Sequence, residues 1–173
     1  MTCTTRHIFC LEGNWNKNPK SKKSIRPVLE LLHTSCDVKY IYYKCHNKNE
    51  FTENLKKYTQ KRYKNYPVLY LAFHGKRNRI YFGKEYITLK EIAAILEGKM
   101  QDKIVYFGSC STLQTSPQNI DHFITQTECS CISGYLNYVD FIVSTAFELI
   151  YLQTLQSYKS LHRVSFLFTS TFK

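Results

Sequence analysis

Twice in this chain a short apolar run ends on a reactive side chain beside a glycine: "VLYLAFHGK" over 68–76 and "KIVYFGSCS" over 103–111. No other feature constrains the fold as tightly. Apolar runs of this length bounded by glycine read as buried strands. In open parallel sheets, functional groups collect beyond the carboxyl ends of the strands, where the loops leave the sheet. The repeated grammar therefore predicts parallel strands that each deliver a side chain to one sheet edge.

The remaining pattern agrees. Short apolar runs alternate with helical periods, the signature of an α/β fold with a mostly parallel central sheet. Strands are predicted at His7 to Leu11, Val38 to Lys44, Val68 to Phe73, Ile104 to Phe107 and Cys129 to Ser133. A first helix, capped by Ser24, carries Ile25, Val28, Leu29 and Leu32 on one face. A second runs from about Asn49 to Gln60 with Phe51, Leu55 and Tyr58 inward. "LKEIAAILEGK" follows Thr88 and stops at Gly98, "SPQNIDHFITQ" is a more polar fourth helix, and Phe141 to Gln156 is the most apolar. "NRIYFGKEYITL" reads as a hairpin inserted in a crossover of about 30 residues, which is ample for a right-handed parallel connection. The tail "HRVSFLFTSTFK" fits a last strand or a segment docked on a partner.

At 173 residues, 43% hydrophobic and 15% aromatic, the chain is expected to form a single domain, 1–173, with a sizeable core. Met1 to Leu11 lacks the apolar run and cleavage site of a signal peptide, and Phe141 to Leu155 is short and interrupted for a membrane span. The seven cysteines, at 3, 10, 36, 45, 110, 129 and 131, then read as free thiols in a cytoplasmic protein. Cys129-Ser130-Cys131 is the only close pair, with no second pair or histidine at finger spacing, so no metal is expected. A net charge of +11 raises nucleic-acid binding as a possibility. However, the block from Lys17 to Lys23 falls in a loop, and that from Lys56 to Lys64 on a solvated helix face and end. Lysine, asparagine and tyrosine are abundant throughout, which argues for compositional bias rather than a nucleic-acid surface.

Either His74 or Cys110 alone would be explained by packing. As a pair, 36 positions apart and each beside glycine after an apolar run, they suggest a nucleophile and its base. A free thiol is only a few per cent thiolate at neutral pH, and a nearby imidazole activates it. Gly75 would let the backbone approach a substrate, its N–H and that of Cys110 holding the developing oxyanion. Gly108 would permit a sharp exit from the strand.

At these residues the chain resembles the caspase-like (clan CD) cysteine peptidases, and within them it is most similar to CHAT and separase-type domains. "LYLAFHG" matches the His-Gly block, and Ser109-Cys110-Ser111-Thr112 matches the cysteine block. The resemblance spans roughly Arg6 to Gln156. It implies a caspase-haemoglobinase-like three-layer sandwich, a His-Cys dyad, endopeptidase activity on a protein or peptide substrate, and no cofactor. In "CISGYLNYVDF", Asp140 stands where such domains place the acid of an S1 pocket, implying cleavage after Arg or Lys. It equally well caps the helix that follows.

Glu12, at the end of the first predicted strand, is expected as an exposed strand-end carboxylate. Its place on the same sheet edge also suits orienting His74 or adding acid to the S1 pocket. Trp15 is expected to pack over that edge. The caspase block around the cysteine is absent, which argues against cleavage after Asp. The chain also lacks the repeat domains that often accompany CHAT modules, so a separate activating protein or signal is implied, with regulated proteolysis in stress or defence as the setting. Two other readings remain. An α/β module binding a nucleotide or signalling ligand lacks support from "LEGNWNKNPKS", which holds one glycine. A silent caspase-like interaction domain has no need of an intact His74 and Cys110.

Overall fold

The computed structural model describes residues 5–16, 20 and 22–158. The predicted tail element lies outside them. Strands β1 (Ile8–Glu12), β2 (Tyr40–Lys44), β3 (Val68–Ala72), β7 (Ile104–Gly108) and β8 (Cys131–Gly134) form a five-stranded sheet in the order β2-β1-β3-β7-β8. Every pairing in it is parallel. The sheet is joined by helices α1 (Arg26–Cys36), α2 (Lys48–Tyr58), α3 (Leu89–Leu96), α4 (Pro117–Thr127) and α5 (Phe141–Ser157).

The period of two along the strands divides the core. Phe9, Leu11, Leu69, Leu71, Val105 and Phe107 pack with α2, α3 and α4. Ile8, Cys10, Val68, Tyr70, Ile104 and Tyr106 pack with α1 and α5 on the opposite face. Both faces of the inner strands are covered, so those strands read as unbroken apolar runs instead of alternating ones.

The expected hairpin is present as β5 (Arg79–Phe82) and β6 (Glu85–Thr88), and Thr88 opens α3 with a reciprocal capping box to Glu91. A third strand was not anticipated: β4 (His74–Gly75) pairs antiparallel with β5, so that His74 itself lies in a three-stranded sheet. Ser24 does not cap α1. The cap position is Ile25, without a side-chain bond, and Pro27 supplies the helical φ of the first turn. The Ser24 hydroxyl instead donates to Glu12 at 2.6 Å and accepts from Arg26 N–H at 3.1 Å.

Candidate active site

Register decides the site. β3 and β7 are neighbours, and their last paired residues are Ala72 and Gly108. Each chain then runs two residues further before presenting its reactive side chain, so His74 and Cys110 leave the same sheet edge at equivalent heights. Adjacent strands stand about 4.8 Å apart. Both side chains line one cavity of about 130 Å³, closed on other sides by Trp15, Tyr135, Asp140 and Phe141. His74 is exposed and Cys110 half-buried.

His74 is held at both ends. Its backbone pairs with Tyr81 in the small sheet. Its Nε2 lies 3.0 Å from the carbonyl oxygen of Trp15. A carbonyl only accepts, so Nε2 carries the proton and Nδ1 of the neutral ring is left as the acceptor. The Trp15 ring meets the imidazole edge-on at 5.4 Å and Phe141 at 5.2 Å, which is the packing over the sheet edge expected of it.

Glu12 corrects the reading of an exposed carboxylate and of a substrate-binding group. It is 0% exposed and outside the cavity wall. Its carboxylate accepts from the Trp15 indole N–H, the Ser24 hydroxyl (2.6 Å), the Tyr42 hydroxyl (2.5 Å) and Ile25 N–H (2.8 Å). Such a set of donors is what a buried carboxylate requires. No hydrogen bond joins Glu12 to His74; Glu12 anchors the tryptophan whose carbonyl oxygen meets the imidazole.

Cys110 sits on a turn with Ser111 in the left-handed region, φ 51°, a conformation that costs energy for a residue other than glycine. The turn is latched by Ser111 N–H to Asn137 O (3.0 Å) and Leu113 N–H to Tyr135 O (3.2 Å). Thr112, fully buried, bonds Ser109 Oγ at 2.7 Å and donates to Arg79 O at 3.3 Å, tying the turn to β5. The Cys110 thiol donates to Val139 O at 3.5 Å rather than to the imidazole.

Both glycines have a packing reason in the fold. A Cβ on Gly75 would stand 2.0 Å from Thr112 Oγ1 and 2.6 Å from the Cys110 carbonyl oxygen, so it is the cysteine turn that needs the close approach. Gly108 is still within β7, and a Cβ there would meet the Tyr70 ring at 2.5 Å and Glu148 Oε1 at 3.0 Å.

Asp140 lines the cavity and caps α5, its Oδ1 accepting from Ile142 N–H (2.8 Å) and Val143 N–H (3.2 Å). The N–H groups of Val143 and Ile142 hold its carboxyl below the usual range. The cap is therefore realised.

Sequence reasoning missed Glu148, on α5 and 2% exposed. The Tyr70 hydroxyl donates to its Oε2, and the Tyr135 hydroxyl reaches Oε1 at 3.4 Å. Burial pushes its carboxyl up to about 7, against the lowering effect of the two tyrosines. The available signal was a lone carboxylate inside the apolar run "FIVSTAFELIYLQ". Among the described residues, no three His, Cys, Asp or Glu side chains gather as a metal site, and no helix is long and apolar enough to cross a membrane.

Over residues 5–172 the chain matches the model of a family of unknown function (DUF6642), and it belongs to that family. No curated protein matches it.

Proposed function

We propose that this chain is a caspase-like cysteine endopeptidase acting through Cys110 and His74, cleaving after Arg or Lys, with the caspase-haemoglobinase type of three-layer fold. The observation that carries the reading is the β3–β7 register, which puts imidazole and thiol in one cavity at the carboxyl edge of a parallel sheet.

In the mechanism, His74 Nδ1 takes the Cys110 thiol proton as Sγ attacks the scissile carbonyl carbon. The N–H groups of Gly75 and Cys110 receive the oxyanion. As the tetrahedral adduct collapses, His74 returns the proton to the leaving amine, and the acyl group remains as a thioester. Water then attacks that thioester, losing a proton to His74, which passes it to Sγ as the product acid departs. The Trp15 carbonyl keeps the imidazole in the tautomer this sequence needs and stabilises the imidazolium between steps.

The bond from Cys110 to Val139 O motivates regulation. Attack requires the thiol to turn from that carbonyl toward Nδ1, and an activating protein or signal that shifts the segment between β8 and α5 favours the turn. The six described cysteines are free, in keeping with a cytoplasmic setting.

The test is incubation with a peptidyl acyloxymethyl ketone bearing Arg at P1, followed by mass spectrometry of the labelled residue. Labelling at Cys110, lost in His74→Ala, is expected. Label spread over the seven cysteines, or none on Cys110, overturns the proposal.

A further inference from the structure

The cavity beside Cys110 has a base whose chemistry the dyad does not use. Tyr135, Gly108 and Ser144 line it. All three are also neighbours of the Glu148 network: the Tyr135 hydroxyl lies between Glu148 Oε1 at 3.4 Å and the Ser144 carbonyl oxygen at 3.3 Å, and the missing side chain of Gly108 leaves room for Glu148 Oε1. A carboxylate thus stands directly behind the cavity wall, reached by the tyrosine that forms part of that wall.

Among the described residues no lysine or arginine acts on it; Lys23, which lines the same cavity, lies over the Phe141 ring at 5.4 Å and acts on Asp140 instead. The donors to Glu148 are the neutral hydroxyls of Tyr70 and Tyr135. Tyr106 on β7 and a second buried acid, Glu12 on β1, complete the titratable groups that act on it in the same layer, and Cys10 on β1 feels its charge. The ion pairs recorded among the described residues, Arg26–Glu30 and Lys48–Glu91, involve neither buried acid. A buried carboxylate without a cation costs several kcal/mol in desolvation. The Tyr135 hydroxyl turns its hydrogen toward Glu148 and the Ser144 carbonyl, so its oxygen, which accepts from the Tyr106 hydroxyl at 3.2 Å, is the acceptor it has left to offer a ligand. A ligand end made only of N–H donors and carrying a positive charge complements that oxygen and the carboxylate behind it, whereas a carboxylate or phosphate would meet an acceptor and a like charge.

We propose that Glu148 is the buried counter-charge of a cation subsite at the base of this cavity, which takes the guanidinium or ammonium end of a substrate side chain, with the Tyr135 hydroxyl as the contact between them. This deepens the peptidase reading and rests on it for the identity of the ligand as a P1 residue; it moves the charge that selects Arg or Lys from Asp140 at the cavity wall to Glu148 behind it. Asp140 then serves α5 as its cap.

Two measurements on the full chain separate this inference from the peptidase reading. Agmatine, which has a guanidinium and no scissile bond, is titrated by calorimetry against the Cys110→Ala protein with and without Glu148→Gln. Labelling of Cys110 by P1-Arg and P1-citrulline ketones is then compared in the wild-type and Glu148→Gln proteins. Both are run at about pH 8, where Glu148 is ionised, and agmatine affinity and the Arg-to-citrulline rate ratio are each expected to fall about tenfold or more when Glu148→Gln removes that charge. Agmatine binding that depends on Glu148, with no probe labelling Cys110, keeps the subsite and ends the dyad. Labelling of Cys110 with ratio and affinity unchanged by Glu148→Gln ends the subsite and keeps the dyad, and no saturable agmatine binding also ends the subsite. Should Glu148→Gln fail to fold, Tyr135→Phe carries the test, since it removes the contact hydroxyl and leaves Glu148 its bond to Tyr70; unaltered agmatine affinity then overturns the proposal.

Discussion

The carbonyl oxygen of Trp15 lies 3.0 Å from Nε2 of His74, and the indole N–H of the same Trp15 is bound by the buried carboxylate of Glu12. One residue therefore couples a fully buried acid on β1 to the exposed imidazole in β4. A backbone carbonyl cannot be removed by mutation, but its anchor can. Glu12→Gln replaces a charged acceptor of four donors and turns an NH₂ group toward them, so a loss of about 2–4 kcal/mol is expected in urea unfolding. Cys110 labelling should slow as the Trp15 carbonyl loosens. A variant with unchanged stability and unchanged labelling rate would show that this coupling has no consequence.

Gly75→Ala places a methyl group inside the contact distance of both Thr112 Oγ1 and the Cys110 carbonyl oxygen. Overpacking of this kind costs about 1–3 kcal/mol, and the shifted turn should carry Cys110 out of reach of His74. Adding Thr112→Ala relieves only the Thr112 clash, because the Cys110 carbonyl oxygen and Ser109 Cβ (2.9 Å) stay in the way. The double variant is expected to stay poorly labelled; full recovery would mean that the approach of the turn to Gly75 is not what positions the thiol.

The two roles of Asp140 separate by substitution. Asn caps a helix about as well as Asp, whereas Ala has no side-chain acceptor for the Ile142 and Val143 N–H groups. Asp140→Ala should lower thermal stability and Asp140→Asn should not. With Glu148 as the selecting charge, the Arg-to-citrulline labelling ratio is expected to survive Asp140→Asn; its collapse there would return the selecting role to Asp140.

Glu148 links stability to pH. Its folded-state pKa is raised from 4.5 to about 7. Below 4.5 both folded and unfolded chains hold the proton and its contribution is intact. Between 4.5 and about 7 the unfolded chain ionises while the folded one stays neutral, so stability falls as pH rises. The loss, on the order of 3 kcal/mol, is complete above the folded pKa. Glu148→Gln does not titrate, and its stability relative to wild type should rise by an amount of that order from about pH 5 to about pH 8 in urea unfolding. Parallel stability curves for the two proteins would remove the raised pKa.

Thiol chemistry should be selective. Burial pushes the Cys10 thiol well up, Cys45 to about 11, and Cys129 and Cys131 upward, all of which suppress the thiolate. Alkylation of the native protein at neutral pH, read by peptide mapping, is expected to spare these four and modify Cys110. Modification of Cys10 or Cys45 ahead of Cys110 would contradict the burial of those two thiols.

Read without coordinates, the chain determined its α/β alternation, the helices opening at Thr88 and Ser116, the inserted hairpin, and a histidine and a cysteine at strand ends. Those are properties of neighbouring residues: apolar period, cap chemistry and glycine position act over a few positions and show in the string of letters. Tertiary structure alone decided that β3 and β7 are adjacent with Ala72 opposite Gly108, and hence that His74 and Cys110 share a cavity. It also turned Glu12 inward to four donors and set Glu148 behind Gly108. Strand order and the partners of a buried charge depend on contacts between residues far apart in the chain, and a carboxylate's letter is the same whether water or a tyrosine hydroxyl answers it.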